Sequence, residues 1–452
     1  MNQENGTENT HMTQANGQDA RGNRWRVFFV PFVMFLCAAV LCAVLKPQPH
    51  VLRVGIFVGS PWGVPGGDIY GMLDESIAAF EEAHPGVQVT YVSGISRDDY
   101  GEWLAERFLA GDEPDVFLLL PEDFELYAAQ GALLPLTPLE KDDAAFDASA
   151  FYPAAFAYGQ YDGESMALPL ACMTRLMFVN KTLLAREGIA MPEGRWTFDD
   201  FYRIAAAVTR DTDGDGTLDQ FGVYDYDWQL AATATGAQPF RDDGRASYFA
   251  APEVEQAVRF CMKLSALTRG HQVTPRDFDL GRVAFRPFSF AEYRTYKPYP
   301  WRIKKYMNFE WDCIPLPEQP GGTPHAPLGV LLAGISARTH EKALAWAFLR
   351  DITTGDESQK SVLAHTQGLP AKRGILETAA PADVFGEGVT ASLTPALLGE
   401  TLDHAVTAPK FKRYEGAMLL ADTEIAKLVH GTVSFDNALN RLQKEVNAYL
   451  QR

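Results

Sequence analysis

The stretch that decides the fold begins Tyr161-Asp-Gly163, continues Ala167-Leu-Pro-Leu170, and runs on through an apolar segment to Phe178-Val-Asn-Lys181. Gly188-Ile189, Trp196-Thr-Phe-Asp-Asp-Phe201 and the acidic segment Asp211-Thr-Asp-Gly-Asp-Gly-Thr-Leu-Asp219 follow. Short apolar runs bounded by turn residues read as buried strands. The expected order is therefore a strand ending at Pro169, a second buried strand, a short helix, and then a second helix. Thr197 fits the N-cap of that second helix, and Asp199 and Asp200 fall where the helix dipole favours carboxylates. Nothing here has the character of a nucleophile or a general base. The residue types suit a scaffold around a cleft.

Upstream, Leu52 to Val58 reads as a buried strand, followed by a loop with Ser60, Trp62 and several glycines. Ile69, Leu73, Ile77 and Phe80 recur at helical spacing, and Val87 to Val92 is a second strand. Trp103, Leu104, Phe108 and Leu109 mark a second helix before a third strand, Val116 to Leu120. This alternation is the signature of a βαβαβ unit with a parallel sheet, whose ligands bind outside the carboxyl ends of the strands. Those ends are the loops at Ser60–Trp62, Val92–Ser96 and Pro121–Asp123. Downstream, helical faces recur through Val254, Val258 and Leu264, through Ala343, Trp346 and Leu349, and again near the C-terminus. A short strand is expected from Trp311 to Pro317.

The chain resembles the extracellular solute-binding proteins of carbohydrate ABC transporters, the maltose-binding-protein-like family. Phe108-Leu-Ala-Gly111 with Pro114-Asp-Val116 is similar to the family's helix-to-strand passage, and Gly131-Ala-Leu-Leu-Pro135 to the turn that follows. Leu168-Pro169 through Asn180-Lys181 resembles its first interdomain crossing. Gly281-Arg-Val-Ala284 resembles the passage to a site aromatic. Gly329 through Ser336 resembles the second crossing and Gly368-Leu-Pro370 the third. The resemblance implies an α/β, two-lobed periplasmic-binding-protein-like fold of type II with three interdomain crossings. Lobe one would hold 50–170 plus 331–370, and lobe two 171–330 plus 371–452. It also implies a carbohydrate held between the lobes and delivered to ABC permease subunits, with no catalytic residue, no required cofactor and a monomeric chain.

Sugars present hydroxyls around apolar C–H faces, so a cleft for them needs flat aromatics with carboxylates or amides at the rim. Trp62, in its glycine-rich loop, is placed for stacking, with loop packing as the alternative. By the resemblance, Glu122 stands where a hydroxyl-binding carboxylate is expected, Trp228 near a site aromatic, and Phe290 and Tyr293 near another. Met173 replaces a carboxylate that maltose binding uses, so maltose itself is not supported. Arg175 suits an anionic sugar or a surface ion pair. Asp211, Asp213, Asp215, Thr217 and Asp219 match the first positions of a calcium loop, but position twelve is Gly222 rather than Glu. A structural calcium site and a bare acidic turn both fit.

With 452 residues, 47% apolar, the chain has material for more than one core. Its net charge of −18 argues against a nucleic-acid binder, since phosphate contacts need clustered Lys and Arg. The basic and aromatic run 282–305 reads first as a solvated face and second as a site for an acidic sugar. Cys172, Cys261 and Cys313 read as buried small hydrophobes. Residues 1–26 are expected to be a disordered cytoplasmic tail. Val27 to Leu45 carries no charge, and as a helix of about 28 Å it matches a bilayer's hydrocarbon core. Arg21, Arg24 and Arg26 before it place the N-terminus inside and the body on the extracytoplasmic side, with a removed secretory signal as the competing account. His340-Glu341 opens a zinc-protease pattern that Leu344 breaks. A secreted carbohydrate-active enzyme is the alternative function, and a ligand sensor for a signalling partner is a third.

Overall fold

In the computed structural model, which describes residues 49–298, 308–323 and 325–451, strands and helices alternate at the start as the sequence dictates. β1 (His50–Gly55), β2 (Val87–Tyr91) and β3 (Val116–Leu119) stand in the order β2–β1–β3, with helices Ile69–Ala83 and Arg97–Ala110 between them in sequence. β1 and β3 are parallel, Val54 opposite Val116. Each helix is started by a side chain that takes up an otherwise unpaired backbone donor. Asp68 accepts from the Tyr70 amide and Ser96 from the Asp99 amide.

A small hairpin, β4 (Gln160–Tyr161) and β5 (Glu164–Ser165), leads into β6 (Ala167–Asn180), which is one continuous strand of 14 residues. This corrects the expected break at Pro169. Proline offers no amide to the ladder. The ladder accommodates it by an irregularity: Leu331 pairs with Ala171 but Leu332 pairs with Pro169, so Leu170 bulges out. β6 joins the two halves of one nine-stranded sheet. Its first half pairs with β10 (Leu328–Ile335) and β11 (Leu369–Pro370), and β10 joins β3. Its second half pairs with β8 (Val283–Ser289) and β9 (Trp311–Ile314), while β7 (Phe221–Val223) lies parallel to β8. The three segments that resembled crossings therefore lie side by side.

Apolar side chains gather in two clusters. The first is built from β1, β3 and the first half of β6 with helices Ile69–Ala83 and Lys342–Thr354, and it runs on through Phe178, Phe288, Phe290, Tyr293 and Trp311. The second gathers Trp196, Phe201, Phe285, Val258 and Ile425. Leu376, Phe385, Leu398 and Leu402, from the segment assigned in sequence to lobe two, pack with the first cluster. Helix Phe198–Val208 opens with a capping box in which Thr197 and Asp200 bond reciprocally. Cys172, Cys261 and Cys313 are free and buried. The expected tail and membrane segment, and 299–307 of the basic run, lie outside the described residues. Among the described residues no helix is long and apolar enough to cross a membrane.

Candidate functional site

The loop after β1 carries Gly59, Gly63 and Gly66 at positive φ, which frees it to fold back across the sheet. It lays the half-buried Trp62 against β10 and the residue that leads into β11. A Cβ on Gly368, beside β11, would fall 2.4 Å from Trp62 Nε1, and one on Gly329 of β10 would meet Trp62 at 3.6 Å and Met173 of β6 at 3.5 Å. Trp62 thus rests where three strands run together, and only glycine lets it approach so closely. Its indole N–H is buried and finds no acceptor among the described residues. Next to it, Gln367 holds a left-handed φ of 60° and its buried Oε1 is also without a donor. Such unmet polar groups and strained backbone concentrate at functional sites.

Glu122 follows β3 and lies 3.6 Å from Arg97, with more than half of its side chain exposed. Its charge reaches Tyr158, as does that of Glu415 from the start of helix Tyr414–Val429. Burial, aided by these two carboxylates, pushes the Tyr158 hydroxyl up to about 12. Tyr158 and Glu415 escaped sequence reasoning because they are distant in the chain and neither sits in a recognisable motif. Arg175 is exposed on β6 opposite Ser289. It is near enough to Asp227 to counter the burial that raises that carboxyl.

Trp228 begins helix Trp228–Ala234 behind the N-cap Asp227. It is 6% exposed, and its indole N–H donates to Asp422 Oδ1 at 2.7 Å. Phe290 and Tyr293 are fully buried. Three residues apart on helix Phe290–Tyr296, they turn inward together. The Tyr293 hydroxyl donates to Asp312 at 3.1 Å, and its ring stands edge-on to Trp311 and Phe385. These rings pack the core and present no open face for stacking. Trp62, Glu122 and Arg175 are the expected site residues that keep exposed surface.

In the acidic loop, Asp211, Asp213 and Asp215 bring carboxylate oxygens within 4.8 Å of one another. The Asp211 carboxylate accepts from the amides of Gly216 and Gly214, which holds its pKa below the usual carboxylate value. Asp219 is turned to the Thr212 amide and hydroxyl, and Thr217 donates its amide to Asp215. At position twelve a Cβ on Gly222 would meet the Ala205 backbone at 2.5 Å. No longer side chain fits there, so the bidentate ligand of a full calcium loop is missing. The donor set suits a hard cation held loosely.

The chain belongs to the bacterial extracellular solute-binding proteins, whose family model matches residues 67–354. The fold is shared with solved members of that class. The cyclic alpha-maltosyl-1,6-maltose binding protein of Arthrobacter globiformis superposes with a TM-score of 0.73 at 18% identity, over 89% of this chain and 99% of its own. The sugar-binding protein MalE of Xanthomonas citri gives 0.70 at 20% identity, over 89% and 98%. A cyclo/maltodextrin-binding protein complexed with maltotetraose gives 0.69 at 18%, over 90% and 99%. The architecture is thus the mixed α/β, two-lobed one expected.

Proposed function

We propose that this protein is the substrate-binding component of an ABC importer, capturing a carbohydrate between its two lobes and passing it unchanged to the permease. The observation that carries this reading is Trp62, a half-buried ring with an unmet N–H, seated where the three crossing strands meet. A ring in that place offers a sugar an apolar face and, through its N–H, a bond to a hydroxyl. Glu122, with Tyr158 and Glu415 beside it, supplies acceptors and a donor for further hydroxyls. Arg175 adds a fixed positive charge that favours a sugar bearing a carboxylate or phosphate. The names of the structural relatives, which bind maltodextrins and related glucans, support a carbohydrate over other solutes.

No covalent step is proposed, and the chain is taken to act as a monomer. The proposed lobes are 50–170 plus 331–370 and 171–330 plus 371–452, with 375–405 lying along their seam. The body is assigned to the extracytoplasmic side of the membrane, tethered by 27–45. The acidic loop is carried forward as a structural calcium site of modest affinity. The test is a thermal-shift screen with maltodextrins, uronates and sugar phosphates, because a ligand that favours the folded state raises Tm. The bound sugar is then recovered and sized. A Tm rise with intact sugar, abolished by Trp62→Ala, is the expected outcome. Cleaved sugar, or no response across the whole panel, overturns the reading.

A further inference from the structure

Lys410 lies in the segment between helices Pro395–Asp403 and Tyr414–Val429, and its neighbour Phe411 ties it to the second cluster. The Phe411 ring packs edge-on against Phe240 and Tyr414, at 5.3 and 5.5 Å between centroids. Gly244 leaves it room, since a Cβ there would come within 2.4 Å of the ring. Yet the Lys410 side chain points away from that cluster. Its ammonium stands 4.4 Å from the centre of the Phe124 ring and 4.3 Å from that of Tyr158. Both rings pack with the first cluster. The same ammonium donates to the carbonyl oxygen of Tyr158, and to that of Gln160 at 3.3 Å.

Two aromatic faces and two carbonyl oxygens make a cage for a cation. The turn it grips is consequential. Gly159, between the two residues whose carbonyls accept from Lys410, accepts from the amides of Met166 and Ala167, where β6 begins. A Cβ on Gly159 would lie 2.1 Å from the Ala167 carbonyl oxygen, so the turn is pressed against the strand's entry. The ionisable groups that face the cage are Glu125 from helix Phe124–Ala129, Tyr158 itself, and, through Tyr158, Glu122 and Glu415. Burial pushes Lys410 down to about 8, and the Glu125 charge works against that.

We propose that Lys410 is the latch of the seam: an ammonium anchored in the second cluster that seats between Phe124 and Tyr158 of the first and holds the turn feeding the crossing strand. Seated, it ties together the two bodies that must part to admit a solute. Withdrawn, it leaves them joined through the crossing strands, the segment 375–405, and helix Phe290–Tyr296, whose Arg294 and Thr295 donate to the carbonyls of Leu363 and Pro65. The latch concerns the fold's own motion and does not depend on which solute is bound.

Competitive acetylation of the full-length chain, followed as a function of pH, tests the seat without any variant. Lys412 is exposed two residues away and serves as the internal reference. With its amine lowered to about 8, Lys410 should reach its limiting acetylation rate near pH 8; a rate that keeps climbing to about pH 10.4 would mean that the ammonium is not seated in solution and would overturn the proposal. The second arm tests the latch. Lys410→Met should enlarge the radius of gyration by X-ray scattering and speed hydrogen exchange at the Met166 and Ala167 amides several-fold. Lys410→Gln, which keeps a donor for the carbonyls but loses the charge, should fall between. If both variants match the wild type in size and exchange, Lys410 is a passive filler of the gap. Amide exchange in helix Phe198–Val208 is the control for global misfolding: faster exchange there and at β6 alike would also count against a latch.

Discussion

Two tryptophans stand just past the carboxyl ends of strands, one in each cluster, and the protein treats them in opposite ways. Trp62 follows β1 in a loop of glycines, lies on bare backbone at Gly329 and Gly368, and keeps an unmet N–H. Trp228 follows β7 behind an N-cap, is 6% exposed, and gives its N–H to Asp422. The sequence neighbourhoods explain the contrast. A loop with φ > 0 at three glycines can carry a ring onto a surface, whereas the first turn of a capped helix fixes its ring inward. The lesson is that position at a strand end does not make an aromatic a ligand contact. What its N–H and faces are already bonded to does.

The largest effect that would break this contrast is in stability. Trp228→Ala should cost about 3–5 kcal/mol by urea unfolding, as for a large core aromatic, and Trp62→Ala about 1 kcal/mol. Similar losses at the two positions would refute the distinction. Next, Gly368→Ala must push either the Trp62 indole or the strand, since its methyl would fall 2.4 Å from Nε1 and 3.1 Å from the Cys172 carbonyl. A loss of about 1–3 kcal/mol with a red-shifted tryptophan emission is expected. An unchanged spectrum would show that Trp62 does not rest there.

Asp422→Ala sharpens the other side, leaving the buried indole N–H of Trp228 unpaired for a loss of about 1–3 kcal/mol. Asp422→Asn, which retains an acceptor oxygen, should recover most of it; equal losses would mean that packing rather than the bond decides. A pH series isolates the seam from both tryptophans, which do not titrate. Lys410 is lowered to about 8 by burial, against about 10.4 in an unfolded chain. A base depressed in this way weighs against the folded state while charged, and that penalty fades as pH rises from about 8 toward about 10.4. Wild type should therefore gain on Lys410→Met across that window and run parallel to it at lower pH. A constant difference throughout would show that the lysine is not buried. The smallest effect is reserved for the acidic loop. Millimolar calcium should raise Tm by about 2 °C in wild type and not in Asp213→Asn. A shift of the same size in the variant would locate the ion elsewhere.

Much of the fold was legible because local signals agreed with it. The alternation through Leu119, the Thr197 cap and the strands at Ala167–Asn180, Leu328–Ile335 and Leu369–Pro370 all fell where the residues pointed. Pro169 misled, because a missing amide in a strand is invisible to pattern when a bulge on the same strand absorbs it. Of the expected sugar-contact residues, Trp62, Glu122 and Arg175 keep exposed surface, the first two in loops and Arg175 on β6. Phe290 and Tyr293 looked the same by residue type, but helical spacing turned them inward, and the buried Asp312 carboxylate claimed the Tyr293 hydroxyl. Tyr158, Glu415 and Lys410 gave no signal at all. Their meeting depends on segments some 250 residues apart (Lys410 and Tyr158 are separated by 252), which no local pattern encodes.

The displaced Leu170 also marks a place where the proposed lobes would bend against each other. Because β6 runs unbroken through the nine-stranded sheet, this link between the proposed lobes is a paired strand and not a slack linker. A ladder that already carries an extra residue is the cheapest place to kink, for its rungs are interrupted there at no further loss. The pivot would then lie inside the framework itself, and the arc each half can sweep is bounded by how far one pleat can be bent.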